Sequence, residues 1–233
     1  MSAQHAAAAP SGLRIAGAAL TADHSGALFW EAERLLVVAD LHFEKGSAFA
    51  ERRVFLPPYD TAATLARLGA LVARYRPAGI VALGDSFHDG RAIARMTASD
   101  ADALRALGRG RDWIWIAGNH DPEARTDFGA AFAEWRLGPL TFRHEPQAGA
   151  QPGEIAGHLH PAARVVTRAG ALRRRCFVGD AQRLVLPAFG AFTGGLNIRD
   201  AAFAGLFAGG DVAAHVLGRA ATHRVPLARC LPE

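Results

Sequence analysis

The stretch RLLVVADLH, residues 34–42, ends an apolar run on two side chains that bind metals. Leu35, Leu36, Val37 and Val38 read as a buried strand, short, continuous and apolar. Asp40 and His42 follow, two residues apart, and residues two apart on a strand point to one side. A carboxylate and an imidazole can therefore reach one common point just past a buried strand. A turn-capping Asp beside a surface His would read the same way locally, so the rest of the chain decides.

Two more runs repeat the device. AGIVALGD, residues 78–85, and RDWIWIAGNHD, residues 111–121, are apolar and end on Gly, Asp, Asn and His. Between the three strands lie two helical patterns. Over residues 60–76, Leu65, Leu68, Val72 and Tyr75 recur at three-to-four spacing, Asp60 is placed as the N-cap and Pro77 stops the run. A second pattern spans residues 97–107 and opens on Thr, Ser and Asp. Strand, helix, strand, helix, strand with short connections predicts parallel βαβ units with right-handed crossovers.

Upstream, LRIAGAAL and GALFWEAE read as two strands joined by a turn around Asp23 and Gly26. Downstream, GPLTFRHE, GEIAGHLHP, ARVVTRAG, ALRRRCFVG and RLVLPAF read as strands separated by Gly and Pro turns, and residues 211–231 as a final strand pair. The expected fold class is α/β (α+β): a two-layer mixed β-sandwich flanked by helices. Residues 1–12 are expected to be a disordered tail, and residues 13–233 one domain.

Half of the 233 residues are hydrophobic, enough to bury a sizeable core. A net charge of +4 favours an anionic partner without identifying one. The two cysteines, Cys176 and Cys230, have no metal-type spacing and suggest no disulfide framework, which fits a reducing cytoplasm. No run approaches the roughly 20 apolar residues of a membrane span. The N-terminus lacks the features of a signal peptide.

In open α/β sheets, sites form at the carboxyl ends of parallel strands. Here those ends carry Asp40 and His42, then Gly84, Asp85, His88 and Asp89, then Gly118, Asn119, His120 and Asp121. GHLHP adds His158 and His160 at the same spacing of two, and His144 is the one histidine between His120 and His158. Carboxylate, imidazole and amide oxygen without thiolate suit Mn²⁺, Fe²⁺ or Zn²⁺. His5, His24, His215 and His223 read as surface or core residues.

The ordered blocks DLH, GDSFHD, GNHD, His144 and GHLH resemble the calcineurin-like metallophosphoesterases. DLHFEKG, LPPYDT, LGDSFHD and LVLPAFGAFTGGLNI further resemble the bacterial branch of ligase-associated DNA damage response endonucleases. The resemblance implies two divalent metal ions, Mn²⁺ first among them. Asp85 would bridge them, Asp40, His42 and His160 would complete one site, and Asn119, His144 and His158 the other. It also implies that His120 donates a proton to the leaving oxygen and that Asp121 orients it. The arginine that many relatives place after the second block is missing, and His88 or Arg91 is the candidate substitute for holding phosphate. Asp89 and Glu44 read equally as supports of the ligands or as loop charges. Arg173, Arg174 and Arg175 read first as a solvated strand edge and second as a contact to a nucleic-acid backbone.

The function expected is a two-metal phosphodiesterase, an endonuclease of DNA repair, located in the cytoplasm. Phosphomonoesterase action on nucleotides or small phosphates is the alternative. A non-catalytic metal-binding scaffold on the same fold is the alternative of a different class. The expected partner is a phosphodiester substrate, a nucleic acid or a cyclic nucleotide, and no membrane. Repair-protein partners and a homo-oligomer stay open.

Overall fold

Strand β1 (Ser11–Ile15) folds back at Ala16 and Gly17, both at positive φ, onto β2 (Ala18–Ala22). The run LRIAGAAL is thus a hairpin and not the single strand its apolar residues predict. The computed structural model describes residues 11–54, 56, 57, 59–122, 127–149, 151–168, 170–207 and 210–233. Strand β1 therefore begins inside the stretch expected to be a tail, while residues 1–10, with His5, lie outside the described residues.

After β3 (Leu28–Trp30) and β4 (Leu35–Val38) come α1 (Lys45–Glu51) and α2 (Asp60–Tyr75). Next follow β5 (Gly79–Leu83), α3 (Ala92–Arg95), α4 (Ala98–Gly108), β6 (Asp112–Ile116) and β7 (Ala130–Phe132). Strands β1 to β7 form one sheet in sequence order, antiparallel as far as β4 and parallel from β4 onward. The expected parallel βαβ units are present.

The second sheet holds β8 (Glu134–Leu137), β9 (Leu140–Arg143), β10 (Glu154–Ala156), β11 (Pro161–Thr167) and β12 (Gly170–Gly179). It is completed by β13 (Arg183–Val185), β14 (Leu196–Asn197), β15 (Ala213–Leu217) and β16 (Thr222–Pro226). Its pairings are mixed: β9, β10 and β13 run parallel, and β11, β12 and β15 antiparallel.

Strand alternation builds the layers. Leu35, Val37, Val81, Leu83 and Ile116 face Phe142, Ile155, Phe177 and Leu184 of the second sheet. Leu36, Val38, Ile80, Ala82, Trp113 and Trp115 face the other way, onto Leu65, Leu68 and Val72 of α2 and Leu104 of α4. Both faces of β4, β5 and β6 are buried, which is why these strands read as continuous apolar runs. A third cluster around Cys176, Val178, Ala214 and Cys230 covers the outer face of the second sheet. Both cysteines are free and buried.

Thr97 caps α4, its hydroxyl accepting from Asp100 N–H at 3.1 Å; such a cap contributes about 1 kcal/mol. Asp60 does not cap α2. It is the first helical residue, and its carboxylate accepts Gly46 N–H at 2.9 Å. That bond ties α1, and the loop carrying His42, to the start of α2. Among the described residues no helix is long and apolar enough to cross a membrane.

Candidate metal centre

Strand β4 ends at Val38, so strand alternation does not bring Asp40 and His42 together. Both adopt left-handed backbone, with φ of 52° and 46°, as do Asp85 (44°), His158 (67°) and His160 (46°). A non-glycine residue there costs of order 1 kcal/mol, and such strain gathers at functional sites. The loops after β4 and β5 hold each other in place. Asp40 N–H donates to the Gly84 carbonyl, His42 N–H to that of Asp85 and Phe43 N–H to that of Ser86. Phe43 and Phe87, both buried, meet below this ladder.

Two of the groups in which the side chains converge hold a carboxylate. In the first, Nε2 of His160 lies 3.4 Å from Nε2 of His42 and 3.3 Å from Oδ1 of Asp40. In the second, Nε2 of His144 lies 3.1 Å from Nδ1 of His158 and 3.4 Å from Oδ1 of Asp85. Asp85 turns its other oxygen to the first group, Oδ2 standing 3.9 Å from His42 Nε2. Donors on one ion with bonds of about 2.1 Å stand about 3.0–3.4 Å apart, so both groups fit a divalent cation.

The imidazoles are prepared as ligands. Burial, reinforced by the cationic forms of His160 and His120, pushes the His42 pKa down to about 2, so its ring is neutral at physiological pH. Nδ1 of His144 lies 2.9 Å from the Leu83 carbonyl. A carbonyl only accepts, so Nδ1 carries the proton and Nε2 presents its lone pair to the centre. Asp40 is fully buried, and its carboxylate accepts His158 N–H at 3.1 and 3.2 Å.

Asn119 and His120 stand exposed at the rim, and Asn119 lines a cavity with Gly118, Arg143 and His144. His120 N–H donates to Asp85 Oδ1 at 2.9 Å, and Nε2 of His120 lies 4.0 Å from Asp85 Oδ2. Nδ1 of His120 meets the His88 carbonyl at 2.8 Å. The buried Asp121 carboxylate instead accepts the N–H groups of Ser86 (2.8 Å), Phe87 (3.0 Å) and Gly118 (3.2 Å). Among the described residues the expected bond from Asp121 to the His120 ring is replaced by one from a main-chain carbonyl. Asp121 fastens the Asp85 loop to the Asn119 loop.

His88 belongs at the site, its ring 5.3 Å from that of His120 and near-parallel to it. Its imidazole groups with those of His42 and His120. Arg91 does not share this position: it is exposed and pairs with Glu51 at 2.7 Å. Asp89 is held by Arg95 through two bonds of 2.9 Å, and Glu44 accepts from Thr61 and Ser47. Both acids brace loops and touch no candidate ligand. The carbonyls of Leu83 and His88, which set two tautomers, carry no signal in a sequence.

Residues 33–182 match the family model described as calcineurin-like phosphoesterase. A comparison with curated proteins finds no match. Among solved structures, the chain is similar to one described as the crystal structure of Pseudomonas putida nuclease MPE. Identity is 32%, the TM-score is 0.72, and the match covers 93% of this chain and 100% of that one. With the family model spanning most of the chain and the donor groups in place, the chain belongs to the calcineurin-like phosphoesterases and is a metal-dependent phosphoesterase.

Proposed function

We propose that this phosphoesterase is a two-metal phosphodiesterase acting on nucleic acid. The observation that carries the reading is the placement of Asp85, whose two carboxylate oxygens face the two donor groups from one buried side chain. Asp40, His42 and His160 would hold one ion, and Asn119, His144 and His158 the other, with Asp85 shared. Bound divalent cations would neutralise phosphate charge and supply a nucleophile at neutral pH. Oxygen and nitrogen donors without thiolate suit Mn²⁺ first, with Fe²⁺ and Zn²⁺ also accommodated.

The chain's own chemistry centres on His120. Its exposed Nε2 is free to give a proton to the leaving oxygen. Its Nδ1–H donates to the His88 carbonyl, which fixes the orientation of the ring. Asp121 acts through the loops: by holding three main-chain amides it keeps Asp85 and His120 in register. The floor of the site, Asp40 and Asp85, is dry while the rim histidines meet solvent. An open rim over a buried floor accommodates a polymer.

The ligase-associated resemblance supports a DNA-repair role in the cytoplasm, and the core shared by both sheets supports one domain over residues 13–233. The test compares bis(p-nitrophenyl) phosphate with p-nitrophenyl phosphate under Mn²⁺, followed by single-stranded and duplex DNA and RNA in rising salt. The expected result is faster diester cleavage and nucleic-acid cleavage that weakens with salt. Monoester cleavage without diester cleavage would replace the reading with a phosphatase.

A further inference from the structure

Residues 188–196, AFGAFTGGL, form a strap bonded to the main chain of the first donor group. At one end Phe189 N–H donates to the Ala39 carbonyl (2.7 Å) and Gly190 N–H to that of Asp40 (3.1 Å). At the other, Leu196 N–H donates to the His160 carbonyl (2.9 Å). Between them, Ala191 N–H donates to Thr64 Oγ1 on α2 (3.1 Å), and the Thr193 hydroxyl donates to the Gly190 carbonyl (2.9 Å). Gly190 is required by close approach, because a Cβ there would stand 2.4 Å from the Leu41 carbonyl oxygen.

Arg173 and Arg175, two apart on β12, hold the strap through its carbonyls. Arg175 donates to those of Ala188 (2.8 Å) and Gly190 (3.3 Å), and Arg173 to that of Gly195. Arg67 lies over the Phe189 ring at 4.2 Å, and among the described residues its buried Nε and Nη2 have no hydrogen-bond acceptor. Among the described residues neither Arg67 nor Arg175 forms an ion pair, so no carboxylate in contact offsets their charge. On this fixed strap Phe192 is 37% exposed, and a Cβ on neighbouring Gly194 would meet open space.

An exposed aromatic ring on a strap that two arginines pack against offers what a nucleic-acid strand binds: a π-face for a base and a field for its phosphates. We propose that Phe192 is a stacking platform for an unpaired nucleobase next to the scissile phosphate, with Arg67 and Arg175 supplying the field behind it. Bases within a duplex are already stacked, so the platform selects a strand with free bases. The proposal rests on the nucleic-acid phosphodiesterase reading above and adds a residue that recognises the base.

The test compares Mn²⁺-loaded wild type, Phe192→Ala and Phe192→Trp on oligothymidylate and on an abasic oligomer of equal length, which keeps the phosphates and lacks the bases. Wild type is expected to favour the base-bearing strand by about tenfold in kcat/KM, the usual scale of one base stacked on an aromatic ring. Phe192→Ala removes that preference through KM while kcat on the abasic strand stays unchanged; Phe192→Trp restores it. Cleavage of both strands with a preference that survives Phe192→Ala overturns the platform and leaves the phosphodiesterase reading standing. Cleavage of neither strand by wild type overturns both.

Discussion

The main-chain carbonyl of His88 lies 2.8 Å from Nδ1 of His120. A carbonyl can only accept, so this one contact engages Nδ1 and leaves Nε2 as the other ring nitrogen. Nε2 of His120, the atom that under the proposed function protonates a departing oxygen, lies 4.0 Å from Asp85 Oδ2. His120→Ala is therefore expected to keep its metal ions and lose about 10²–10⁴ in rate, the range of a positioned proton donor. The loss shrinks with nitrophenolate leaving groups, which need little protonation. Metal analysis beside kinetics on good and poor leaving groups checks this; a variant that sheds an ion would make His120 a ligand.

Gly84 sets the position of His144. Its φ is +73°, and a Cβ there would stand 2.4 Å from His144 Nδ1, the atom bonded to the Leu83 carbonyl. Gly84→Ala must displace that ring or its loop. Loss of such an orienting bond typically costs 10–100-fold in metal affinity, so a loss of about that size is expected at the second group, with the first spared. Titration of metal-free protein with Mn²⁺ would show one tight and one weakened step; two unchanged steps would contradict it.

Stability in acid depends on Asp23, buried far from the centre. It accepts from Tyr75 Oη at 2.6 Å, Arg74 Nη1 at 3.0 Å and Ser25 N–H at 2.8 Å. Burial pushes its pKa up, but the bonds from Tyr75 and Ser25 outweigh burial and hold it below the ordinary value. A depressed carboxylate adds stability above its unfolded pKa of about 3.9 and loses it as pH falls through the folded value. Tyr75→Phe is thus expected to cost about 1–3 kcal/mol near neutrality, with the deficit closing below about pH 4. Denaturant melts of both proteins across pH measure it; a deficit that stays constant into acid would remove Asp23 from the account.

Much of this was legible in the sequence because three strands are buried on both faces. Runs such as IVAL and WIWI can lie only inside a sheet, and the residues after them fall at one edge. That edge gathers the metal-binding residue types; their division into two ligand sets came from the family resemblance. The means of convergence was not legible: Asp40, His42, His158 and His160 meet through left-handed backbone that only the cross-loop hydrogen bonds enforce. Helix α1 was missed because it has seven residues and starts after Glu44 at φ 65° with no side-chain cap. Asp121 was given its role by the motif and Arg91 by its nearness to the place of a missing arginine; the amides that bond Asp121 and the Glu51 that pairs with Arg91 leave no sequence signal. Arg173 and Arg175 read as a solvated strand edge or a contact to a nucleic-acid backbone because their partners, strap carbonyls 13 to 22 residues away and Glu233 for Arg173, leave no pattern.

The placement of Asp85 between two donor groups is tested most directly by counting metal ions. Wild-type protein loaded with Mn²⁺ and freed of excess should retain two ions per chain by elemental analysis. Asp85→Asn keeps the shape of the side chain but removes the charge that offsets repulsion between neighbouring cations, so it should retain neither ion firmly while its circular dichroism stays unchanged. One ion in the wild type, or full occupancy in Asp85→Asn, would contradict a shared Asp85.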